Sequence, residues 1–156
     1  MTYQTMVNSK KKIIKPPVLF PETQTIIKKI QSSKKIKILS YWNSVRGSIC
    51  QNDVNSIYEI IKDWPIQDAI YLFIKSDGGD GKASLRIVNL LREHTKKLFV
   101  LVPGECSSAA TIMALGADEI HMGPLAFLSA VDTSLTHDLS PIDKDNDRVS
   151  VSQDEL

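Results

Sequence analysis

Ser108 stands where an apolar, strand-like run, Leu98-Phe-Val-Leu-Val102, gives way to a helical stretch, within Gly104-Glu-Cys-Ser-Ser-Ala-Ala-Thr-Ile-Met-Ala-Leu-Gly116. A hydroxyl at a helix start lies near unpaired backbone N–H groups and the positive end of the helix dipole. Its neighbours are small enough for a substrate to approach the backbone. Upstream, a second strand-like run, Ala69-Ile-Tyr-Leu-Phe-Ile74, leads into Ser76-Asp-Gly-Gly-Asp80. Acyl transfer needs a nucleophile, a base to take its proton, and donors aimed at the developing oxyanion. The N–H of Ala109, directly after Ser108, is one candidate donor. Gly79 is a second, because a residue without Cβ can turn its amide toward a substrate. Gly78 beside it is a candidate for lining the substrate. A hydroxyl between two such turns is the minimum acyl-transfer site.

Each part also has a plain structural reading. Serine before a helix is a routine N-cap, and Gly-Gly after a strand is a routine tight turn. Cys106 is a second possible nucleophile or a small buried thiol. Among the three histidines, His94 falls at a helix end, where a cation is favoured, and His121 falls on a strand. His137 follows in a polar stretch and is the candidate base, or else an exposed loop histidine. Asp132 could orient a base or form a turn.

The elements that must position these residues read as an alternation. Ile36–Trp42 is a predicted strand and Asp53–Asp63 a helix, with Val54, Ile57, Tyr58 and Ile61 at helical spacing, ended by Trp64-Pro65. Ala69–Ile74 is nearly continuous in β-forming residues, as expected of a strand buried on both faces. Lys82–His94 is helical, with Ala83, Ile87, Leu90 and Leu91 inward. Leu98–Val102 is a strand, Ser108–Leu115 a helix and Glu119–Met122 a short strand. Such alternation calls for parallel strands joined by right-handed crossovers, an α/β fold.

At 156 residues the chain is one domain's worth, with 42% hydrophobic and 24% charged residues, a normal globular composition. The net charge of +1 hides an asymmetry: residues 1–40 carry nine Lys and one Glu, and the rest of the chain is acidic. Residues 1–20 are expected to form a basic, flexible arm; no aromatics interleave with its lysines, so no specific nucleic-acid surface is expected, while contact with a membrane stays open. Glu22–Ile30 reads as a short amphipathic helix with Ile26, Ile27 and Ile30 on one side. No apolar segment is long enough for a bilayer or a secretory signal, and Cys50 and Cys106 give no disulfide framework, so a cytoplasmic protein is expected. No metal-ligand spacing, calcium loop or phosphate-binding glycine motif is present, and neither metal nor cofactor is expected. Residues 133–156 are polar and expected to be poorly ordered. Ser152-Gln-Asp-Glu155 is a capping box at the end of the chain, which suggests a C-terminally shortened form of something longer.

Over Ile70–Asp132 the chain resembles the Clp-protease/crotonase superfamily, and within it the serine dehydrogenase proteinase family of ClpP-like serine peptidases. Ser108-Ala-Ala-Thr-Ile-Met-Ala-Leu-Gly-Ala-Asp-Glu-Ile120 is similar to the nucleophile helix of those enzymes, and Ser129-Ala-Val-Asp132 to their Gly-Pro-Val-Asp turn. The resemblance implies a spiral of short βαβ units over residues 21–132, and a homo-oligomer acting on peptide or protein substrates. It also implies a Ser108 nucleophile with Gly79 and Ala109 as oxyanion donors. Two departures stand out. Asp77 replaces the usual proline before Gly-Gly, which puts a carboxylate beside the site. The family's catalytic histidine would align near Ser129 or Ala130, neither of which is a base. The expected function is therefore a serine peptidase-like hydrolase. The alternatives are a silent assembly subunit that keeps the pocket, and a crotonase-like acyl-CoA enzyme.

Overall fold

The computed structural model describes residues 21–44, 47–132, 134–135, 140–145, 147, 149 and 151–152. Helix α1 (Pro21–Lys34) leads into β1 (Lys37–Trp42), α2 (Gln51–Ile61), β2 (Ile70–Lys75), α3 (Gly81–Glu93) and β3 (Leu98–Val102). There follow β4 (Glu105–Cys106), α4 (Ala109–Leu115), β5 (Glu119–Met122) and β6 (Phe127–Leu128). A short antiparallel pair, β7 (Ser134–Leu135) with β8 (Val151–Ser152), completes the described chain. The basic stretch 1–20, His137 and residues 153–156, which include the capping box after Ser152, lie outside the described residues.

The main sheet is parallel throughout, in the order β1-β2-β3-β5. Strands added in one direction by right-handed crossovers place their helices on one face. That face is the core. Leu39, Tyr41, Ile70, Leu72, Ile74, Leu98, Val100 and Val102 point inward to meet Val54, Ile57 and Ile61 of α2, Ala83, Ile87 and Leu91 of α3, and Ala110 and Met113 of α4.

Two expectations need correction. Burial in β2 alternates, so the strand is not enclosed on both faces. Its outer residues belong to an open face in register: Ile38 beside Tyr71 beside Phe99, and Phe73 beside Leu101 beside His121. The aromatic rings there shield one another, Tyr71 stacking on Phe99 at 4.6 Å and Trp42 on Phe73 at 6.0 Å. Helix α1 is longer than expected and buries none of its residues; Ile26 and Ile30 face solvent.

Alternation of strand and helix also misses a layer. After each main strand the chain makes a second, shorter parallel pairing before its helix begins. Ile49 bridges Gly79, Ser76 bridges Cys106, and β4 pairs with β6. The repeating unit is strand, short strand, helix. Gly79 sits in one of these short second strands, and Ser108 follows directly after another.

Asp118 ties the end of α4 back to this frame. Its carboxylate accepts the N–H of Leu98 at 2.7 Å and faces Arg92 at 3.4 Å, while Arg92 also donates to Gly116 O at 2.9 Å. The Leu98 hydrogen bond, with Arg92 adding to it, holds this carboxyl below its ordinary range. A depressed folded value means that the contribution is present above the unfolded value of about 3.9 and is lost as pH falls through the folded one. Because the group is exposed, its worth is about 1 kcal/mol rather than more. Asp118→Asn should lower Tm at pH 7 by about 2–4 °C. The gap should persist at pH 5 and close only below the ordinary carboxylate range, as thermal melts across pH would check.

Candidate active site

The start of α4 is built as a sharp turn out of β4. Ser76 N–H donates to Glu105 O at 3.1 Å and Ser107 N–H to Ser76 O at 3.0 Å, so the end of β2 runs parallel to the segment that enters the turn. Ser108 then takes φ 51°, ψ −124°, a conformation uncommon for a residue with a side chain. In α/β-hydrolases such strand-to-helix turns project a nucleophile. Its side chain makes no capping hydrogen bond to α4, so the routine N-cap role is not the one its hydroxyl performs. The residue is half-buried.

The glycine turn comes up against this elbow. A Cβ on Gly78 would lie 2.8 Å from Ser108 Cβ, 3.0 Å from Ser107 O and 3.2 Å from Ala109 N. Gly78 is buried with φ 113°; its N–H donates to Ser76 Oγ at 3.1 Å and its C=O accepts the N–H of Ile49 at 2.9 Å. Asp80 N–H donates to Ile49 O at 2.9 Å. In a parallel bridge those bonds come from the residues flanking Gly79, which leaves its own N–H and C=O on the opposite side. A Cβ on Gly79, φ 141°, would collide with the backbone of Ile49, so this position also requires glycine. Neither Gly79 N–H nor Ala109 N–H has a partner among the described residues. The two turns named from the sequence thus meet in van der Waals contact.

The carboxylates of the turn are engaged elsewhere. Asp77 leans toward Lys75, 4.0 Å away, and Lys75 in turn lies 5.9 Å over the Trp42 ring. Asp80 caps α3, its carboxylate accepting the N–H groups of Lys82 at 2.8 Å and Ala83 at 3.2 Å. Cys106 is fully buried and desolvation pushes its thiol up to about 11, so it is a packing residue and not a thiolate nucleophile. His94 caps α3, with Nδ1 2.9 Å from Leu90 O. His121 is on the open sheet face, its Nε2 3.5 Å from Glu119. Asp132 is exposed, and His137 is outside the described residues. Sequence reasoning missed two site neighbours, Thr111 and the hydroxyl of Ser129, because neither carries a motif of its own.

The family model of the ClpP-like SDH-type serine proteinases matches residues 1–143. The chain belongs to that family. Membership extends well beyond the stretch whose motifs suggested it. Two uncharacterized proteins of Methanocaldococcus jannaschii are each 35% identical over 83 residues, 53% of this chain, and 28% and 29% of theirs. The chain thus spans less than a third of the length of these curated relatives. Two solved structures of the 1510-N membrane-bound stomatin-specific protease share the fold at TM-score 0.53 and 19% identity. One is a serine-to-alanine mutant, matched over 74% of this chain and 54% of its own; the other is a lysine-to-alanine mutant in complex with a substrate peptide, over 77% and 53%.

Two glycines of this ClpP-like serine proteinase chain should respond oppositely to a methyl group. Gly78→Ala would force Cβ into the Ser108 turn at a φ that side chains avoid, and should destabilise by about 1–3 kcal/mol. Gly104→Ala meets nothing within 4 Å and should be neutral or slightly stabilising. Denaturant melts of the two variants compare them directly; equal stability would contradict the close approach of the two turns.

Proposed function

We propose that this chain is the hydrolase part of a serine peptidase, with Ser108 as nucleophile and the N–H groups of Gly79 and Ala109 as the oxyanion hole. The observation that carries this reading is the coincidence, in one place, of a hydroxyl with no capping bond and two backbone amides with no partner among the described residues. Unpaired amides are costly unless a ligand or water meets them, and an oxyanion between two of them is well matched.

In this reading Ser108 Oγ attacks the scissile carbonyl carbon of a peptide lying along the Gly78–Gly79 turn. The serine proton passes to a base, the carbonyl oxygen becomes an oxyanion held by the two amides, and collapse expels the amine with that proton. Water then hydrolyses the acyl-enzyme by the same route in reverse. His137, oriented by Asp132, is the base proposed for this chain, and assembly as a homo-oligomer accompanies the reading. A second reading, a silent subunit that keeps the pocket, is favoured by one observation: among the described residues no base bonds to the Ser108 hydroxyl.

A fluorophosphonate probe separates the two. The expected result is a single adduct on Ser108, found by peptide mass spectrometry and absent in Ser108→Ala. His137→Ala should slow labelling about 100-fold or more if His137 is the base. Folded protein that never labels is the silent subunit; labelling that survives Ser108→Ala removes Ser108 from the role.

A further inference from the structure

The amide of Ser108 is held by a side chain 21 residues away in sequence. Ser108 N–H donates to Ser129 Oγ at 2.7 Å, and Ser129 Oγ donates onward to Ala130 O at 3.1 Å. The hydroxyl of Thr111, a buried residue one turn into α4, lies 3.1 Å from Cys106 O and 3.0 Å from Ser129 O, and one proton is shared between them. The elbow is therefore clamped across β4 and the chain leaving β6.

In a capping box the N-cap amide is met by a side chain at the third helical position. Thr111 occupies that position here, but its hydroxyl points to the two carbonyls. Ser129 supplies the missing acceptor from a separate segment. The residue that it holds has the positive φ, so the bond secures a conformation that the backbone would otherwise leave. Relaxation of that φ would rotate the peptide between Ser108 and Ala109, and the Ala109 N–H would move with it.

We propose that Ser129 is a positioning residue for Ser108: its hydroxyl fixes the elbow so that nucleophile and Ala109 amide face the same substrate carbonyl. It does not serve as the base, since its lone pair takes the Ser108 N–H and its proton goes to Ala130 O. This inference rests on the hydrolase reading above.

The test compares wild type, Ser129→Ala, Ser129→Thr and Ser129→Cys on the full chain by fluorophosphonate labelling rate at several probe concentrations. Ser129→Ala should lower the maximal rate at least 10-fold with half-saturation nearly unchanged, because geometry and not probe binding is lost. Ser129→Thr keeps the hydroxyl and should recover most of the rate. Ser129→Cys, whose sulfur is a weak acceptor, should fall between them and stands in if the alanine variant does not fold. Amide exchange at Ser108, read by NMR, should accelerate in Ser129→Ala while exchange in β2 and β3 stays unchanged. Wild type that labels while Ser129→Ala or Ser129→Cys labels equally fast overturns this inference alone. Wild type that does not label overturns the hydrolase reading, and this inference with it.

Discussion

The short parallel ladder that joins Ser76 to Cys106, and Cys106 to Leu128, is the constraint on which the site depends. The main sheet alone would bring the ends of β2 and β3 to the same edge, about 4.8 Å apart in the hydrogen-bonding direction, and leave the loops free to diverge. The second ladder prevents that. It registers Ser76 against Cys106 two residues before Gly78 and two residues before Ser108, so both turns begin from the same line. Gly78 then has no room for a Cβ against the Ser108 turn. The buried hydroxyl of Ser76 adds to this by accepting the Gly78 N–H, which leaves Gly79 as the residue of the pair whose amide has no partner among the described residues.

This also explains how far the sequence could be read. The main strands and helices α2, α3 and α4 were legible because their apolar spacing is dictated by burial on a single face, and β3 and β5 fall on the residues expected. The elbow and the glycine turn were legible because small residues and glycine after a strand have few other uses. The second layer was not legible. Its members, Ile49, Ser76, Glu105–Cys106 and Phe127–Leu128, are one or two residues long, and no periodicity exists at that length. Ser129 was equally hidden, since a hydroxyl 21 residues away announces no partner. Its alignment with the place of a catalytic histidine marked the position without revealing its contact.

The open face of the sheet corrects a different inference. A parallel strand is expected to be covered on both sides, and the apolar run in β2 supported that expectation. In the described chain the second side is covered by its own aromatic side chains instead: Tyr71 on Phe99, Phe73 on Trp42, with Ile38 and Leu101 between. These residues are as apolar on the outer face as the core residues are on the inner one, so composition could not distinguish the two sides. The consequence reaches the site. Lys75 belongs to this outer face, near Trp42, and draws the Asp77 carboxylate toward it. The substitution that set a negative charge beside the glycine turn is thereby partly offset.

The same chain contains a control for the meaning of the Ser108 turn. Helix α3 also begins directly after a glycine-containing turn, and it begins in the ordinary way: Asp80 has φ −71°, and its carboxylate accepts two amides of the first turn. Helix α4 faces the same need to satisfy its first amides and answers it differently. Its N-cap has positive φ and makes no side-chain cap, at a conformational cost of about 1–3 kcal/mol. Stability alone would favour the Asp80 arrangement in both places. A second strand ladder, a threonine clamp and a distant serine all converge to hold the costlier one.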